Sequence, residues 1–69
     1  MLDVRDRLRD ILHERNINCA SLARSVGMTS QQLYDCFAHR RRLEASEFLR
    51  ICHRMNLTLD NFSACMKEE

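Results

Sequence analysis

"NCASLARSVGMTSQQLYDCF", residues 18–37, holds the only glycine in a chain of 69 residues. Leu22, Ala23 and Val26 precede Gly27, and Leu33, Cys36 and Phe37 follow it. Each set lies along one face of a 3.6-residue period. Asn18 reads as the N-cap of a helix from Cys19 to about Val26, and Thr29 as the N-cap of a second from Ser30 to about Phe37. Gly27 stands where a left-handed C-cap residue belongs. Helices this short are not stable alone in water, so the rest of the chain must brace them.

The connection is only Gly27, Met28 and Thr29. A turn that short makes its helices cross steeply, as in a helix-turn-helix. Glycine supplies the positive φ without a Cβ clash. Met28 is expected to plug the gap between the helices, and Ala23 is small where the two backbones must approach.

Other helices can be read around this pair. Val4, Leu8, Ile11 and Leu12 predict a first helix from Val4 to Arg15, capped by Asp3, with Arg5, Asp6, Arg9 and Asp10 as a solvated outer face. A fourth, from about Glu44 to Met55, is expected to bury Phe48, Ile51, Cys52 and Met55. Thr58 caps a last short one, burying Leu59, Phe62 and either Cys65 or Met66. There is no strand signal and no repeat. The expected fold is an all-α, five-helix single domain over residues 1–69, with the helix-turn-helix at about 19–37.

Composition excludes several classes. The net charge is +1 and the hydrophobic fraction 45%, which argues against disorder. Arg40, Arg41, Arg42, Arg50 and Arg54 outnumber Glu44 and Glu47 in residues 38–54, whereas Lys67 is outnumbered by Asp60, Glu68 and Glu69 near the C-terminus. The chain therefore reads as a neutral body with one basic patch. Its charged N-terminus is unlike a secretory signal, and no apolar run is long enough to span a membrane, so a cytoplasmic location is expected. Cys19, Cys36, Cys52 and Cys65 lack the close pairing that zinc requires and read as small hydrophobes. His13, His39 and His53 are scattered, and no set of nucleophile, base and orienting group is suggested. No enzyme activity, metal, cofactor or small-molecule ligand is expected.

The outer face of the second helix in the pair carries Ser30, Gln31, Gln32, Tyr34 and Asp35. Such groups suit reading of base edges: glutamine pairs bidentately with adenine, serine takes either role, and a carboxylate accepts from the amino group of cytosine. Tyr34 can reach a phosphate or a thymine methyl.

"SLARSVGMTSQQL", the arginine-rich loop and "FLRICHRMNLTLDNF" together resemble the lambda-repressor/Cro-like (XRE-type) helix-turn-helix family between Ile17 and Phe62. The resemblance implies that Ser30, Gln31 and Asp35 read bases. Thr29 and Gln32 would sit beside them, at the edge of the site or near phosphates. Arg40, Arg41 and Arg42 would grip the backbone through charge-assisted hydrogen bonds. The chain departs from the family pattern where helix 2 usually opens with glutamine and here has Cys19. It departs again where Phe37 and Leu12 stand in place of an acid and an arginine.

The function implied is a sequence-specific transcriptional regulator, a repressor that binds a pseudo-palindromic operator in double-stranded DNA as a homodimer. Leu57, Leu59, Asn61 and Met66 are the expected dimer surface. The alternative is a protein-interaction module that kept the fold and lost specific DNA reading, with the arginines meeting an acidic partner.

Overall fold

Asp3, Asn18 and Thr29 each start a helix by the same chemistry. A side-chain oxygen accepts from a backbone N–H that the first turn leaves without a partner. In the computed structural model, which describes residues 2–66, Asp3 accepts from Arg5 at 2.8 Å, Asn18 from Ala20 at 2.8 Å and Thr29 from Gln32 at 3.0 Å. The helices that follow are α1 (Val4–Glu14), α2 (Cys19–Ser25) and α3 (Ser30–Phe37). Glu44 precedes α4 (Ala45–Met55), and a 3-10 turn (Leu59–Phe62) runs into α5 (Ser63–Met66). Among the described residues every regular element is helical, as expected. Lys67, Glu68 and Glu69, counted above in the acidic C-terminal stretch, lie outside the described residues.

The four longer helices stop in one way. A backbone N–H reaches back five residues to a carbonyl of the last turn: Ile17 to Leu12 at 2.9 Å, Met28 to Ala23 at 2.9 Å, Arg40 to Asp35 at 2.8 Å and Leu57 to Cys52 at 2.8 Å. The residue before each donor is left-handed, namely Asn16 (φ 55°), Gly27 (φ 78°), His39 (φ 63°) and Asn56 (φ 56°). These are Schellman motifs, which satisfy carbonyls that the helix itself cannot. Only the one at Gly27 was expected. Asparagine and histidine tolerate the left-handed region better than other side chains do, and they carry the remaining three. After three of the helices the next residue is apolar and turns onto the core: Ile17, Met28 and Leu57. After α3 it is Arg40, which stays exposed.

The core is drawn from all five helices. Leu8 and Ile11 of α1, Leu33 and Cys36 of α3, and Ile51 of α4 are fully buried, and Leu22, Ala23, Val26 and Met28 close over them. Phe62 is buried with its ring edge-on to Phe48, centroids 5.1 Å apart, a favoured aromatic geometry. Arg7 of α1 and Arg15 just past its end fasten the far side, Arg7 donating to the Asn61 carbonyl and Arg15 to the Met55 carbonyl, both at 2.8 Å.

Two expectations need correction, and one open alternative is resolved. Leu59 is exposed, not buried: it opens the terminal turn, and the chain returns to the core only three residues later, at Phe62. Of the pair Cys65 and Met66, it is Cys65 that is buried. The charged face of α1 is not wholly solvated: Arg5 donates to the Arg41 carbonyl at 3.3 Å, and Asp6 lies 2.8 Å from the His39 ring.

Candidate nucleic-acid interface

The turn between α2 and α3 is built from its backbone outward. A Cβ added at Gly27 would meet nothing within 4 Å, so the φ of +78° is the constraint and not crowding. Met28 is buried as the expected plug. The Thr29 N–H then donates to Gln32 Oε1 at 3.0 Å, answering the bond from Gln32 N–H to Thr29 Oγ1. This reciprocal capping box fixes the first turn of α3. It engages Thr29 Oγ1 and Gln32 Oε1 as acceptors, leaving the Thr29 O–H and the Gln32 amide nitrogen to donate.

Beyond the cap, Leu33, Cys36 and Phe37 face inward. Ser30, Gln31, Gln32 and Tyr34 are exposed and Asp35 is half-buried. Gln31 Nε2 donates to Asp35 Oδ1 at 2.9 Å, across one helical turn. Arg40 Nε approaches the same oxygen at 3.4 Å, and its guanidinium lies 5.8 Å from the centre of the Tyr34 ring. Cation–π attraction and the carboxylate thus hold one arginine from two sides. Gln31, Tyr34, Asp35 and Arg40 form one polar cluster.

The three arginines of the basic loop are not alike. Arg42 is exposed. Among the described residues Arg40 hydrogen-bonds through Nε alone, and its two terminal nitrogens have no protein partner there. Arg41 turns inward. Its two terminal nitrogens donate to Glu47 Oε1 and Oε2, each at 2.9 Å. It also approaches Cys36 Sγ at 3.4 Å. Glu47 is buried and accepts in addition from the Glu44 N–H at 3.0 Å. The hydrogen bond from Arg41 holds the Glu47 carboxyl below its ordinary pKa, and the same bond, with help from Cys36, raises that of Arg41. The bonds to Glu47 set the Arg41 guanidinium apart from those of Arg40 and Arg42. No local sequence signal marks a pair that spans a loop. The burial of Glu47, on the side of α4 next to Phe48, was also missed.

Cys19 opens α2 in a hollow that it lines with Leu12, Tyr34 and Phe37. Burial pushes its thiol pKa up, so the group is a neutral, weak donor. Leu12 and Phe37 are both buried, consistent with an apolar contact there. Of the expected dimer residues, Leu59 and Met66 are exposed and Leu57 is half-buried. The Asn61 side chain accepts from the Thr58 N–H at 2.8 Å and so caps the terminal turn. Among the described residues no group of three or more His, Cys, Asp or Glu is placed to hold a metal ion, and no helix is long and apolar enough to cross a membrane.

The model of the Cro/C1-type helix-turn-helix DNA-binding domain matches residues 7–67. No curated protein and no solved structure matches the chain.

Proposed function

Because the chain belongs to the Cro/C1-type helix-turn-helix DNA-binding family, we propose that it is a sequence-specific transcriptional regulator, a repressor acting in the cytoplasm rather than an enzyme. The observation that carries this reading is the outward face of α3 joined to Arg40. Ser30 and Gln31 present short polar groups, and Arg40 and Arg42 flank them with charge. Placed in a major groove, such a helix meets base edges while the loop meets phosphates.

One module of this kind covers about 600–1,000 Å² of DNA-facing surface. Two copies related by a two-fold axis would place their recognition helices about 34 Å apart on a pseudo-palindromic operator. The exposed Leu59 and Met66, together with Leu57 and Asn61 beside them, are the surface proposed for that pairing.

Fluorescence anisotropy of a labelled random duplex, repeated across salt, tests the reading. Binding through arginine–phosphate contacts releases counterions and must weaken steeply as salt rises. Absence of binding at low salt would overturn it and would favour an acidic protein partner for the basic loop.

A further inference from the structure

Gln31 and Asp35 do not meet as equals. A carboxylate can only accept, so the amide that lies 2.9 Å from Asp35 Oδ1 must present its nitrogen there. The partner's chemistry therefore fixes which way round the Gln31 amide sits. Its Oε1 and its second N–H are left for a ligand. That donor–acceptor pair matches adenine in the major groove, where N6 donates and N7 accepts. Guanine offers two acceptors, O6 and N7, and would set Oε1 against an oxygen. A glutamine free to turn end over end can instead give both hydrogens to guanine, so fixing the amide sharpens the choice.

Asp35 is itself held. Arg40 Nε lies 3.4 Å from the same Oδ1, with the guanidinium over the Tyr34 ring. The pairing also offsets the repulsion that an acid on this face would feel from phosphate. We propose that Asp35 does not read a base but is a positioning residue, which locks the Gln31 amide in the orientation that selects adenine while Arg40 secures the carboxylate. This inference rests on the DNA-binding regulator proposed above and replaces the expectation that Asp35 reads cytosine.

The test is selection from a random duplex pool with the wild-type protein, Gln31→Ala, Asp35→Ala and the double variant. The wild type should select an adenine whose change to guanine weakens binding on the order of tenfold. Both single variants should relax that same base pair, and the double variant should relax it no further. The melting temperature of Asp35→Ala, followed by circular dichroism, should stay near that of the wild type, which separates relaxed reading from a damaged fold. Asp35→Asn serves as a second variant, since its amide can turn either face to Gln31 and should blur adenine against guanine at that position alone. Relaxation of a different base pair by Asp35→Ala, or an intact preference at the Gln31 position, would overturn the proposal. A wild type that binds no duplex at low salt would instead overturn the DNA-binding reading, and this inference with it.

Discussion

Arg41 and Glu47 face each other through two parallel hydrogen bonds of 2.9 Å, and the pair ties the loop after α3 to the first turn of α4. A bidentate guanidinium–carboxylate contact is geometrically specific, and it engages both terminal nitrogens of Arg41 within the protein. The basic loop therefore has one structural arginine between two available ones. Substituting Arg42 with alanine should reduce the slope of log affinity against log salt by about 1. Arg41→Ala should leave that slope nearer the wild-type value while lowering the urea midpoint, because it strands a buried carboxylate. Salt-dependent anisotropy and urea denaturation of the two variants check this directly. A larger slope change for Arg41→Ala than for Arg42→Ala would count against the assignment.

Gly27 gives a second prediction. The space around it is open, so only its φ of +78° resists a side chain. Alanine there should cost about 1–2 kcal/mol, the penalty of an L-residue in the left-handed region. Asparagine, which already serves at Asn16 and Asn56, should cost less. Chemical denaturation of both variants measures the difference, and equal losses would mean that something other than φ constrains the site.

This contrast shows how far the sequence could be read. Asp3, Asn18, Thr29 and Gly27 act on their immediate neighbours, so their roles were visible as local signals. The helix ends at His39 and Asn56 use side chains that occur anywhere in a protein, and they were not. Arg41 was grouped with Arg40 and Arg42 because the three are adjacent, whereas a buried carboxylate six residues onward separates them. The polar positions of α3 were legible from helical spacing. Their mutual bonds depend on side-chain direction and on the chain reversal at His39, which periodicity does not encode.

Acid should loosen the fold in a defined window. The side chain of Arg5, then its backbone N–H, hold the Asp3 pKa down to about 2, and Arg41 lowers that of Glu47. Both folded-state values lie below the ordinary carboxylate range of about 4. The stabilisation from these groups is thus fully present above that range and is lost as pH falls through it towards 2. Tm measured from pH 5 to pH 2 should drop through this interval. Asp3→Asn keeps an oxygen for the cap but cannot ionise, and should make the drop shallower.

Core and surface leucines should respond oppositely. Leu33 is fully buried, and Leu33→Ala should cost about 2–5 kcal/mol, enough to threaten a domain of this size. Leu59 is 70% exposed, and Leu59→Lys should leave the denaturation midpoint within about 0.5 kcal/mol of the wild type. The same change should shift the protein towards monomer in sedimentation experiments. A dimer unaffected by Leu59→Lys would place the two-fold contact elsewhere.

The left-handed turn at His39 has a consequence for how this protein can diverge. The path of the chain out of α3 is set by backbone bonds, with the N–H groups of Arg40 and Arg41 both reaching the Asp35 carbonyl. Those bonds are indifferent to the side chains at positions 40 and 42. The loop is therefore a fixed mount with exchangeable fittings. Under the proposed function, binding strength can be raised or lowered at position 42 without redirecting α3.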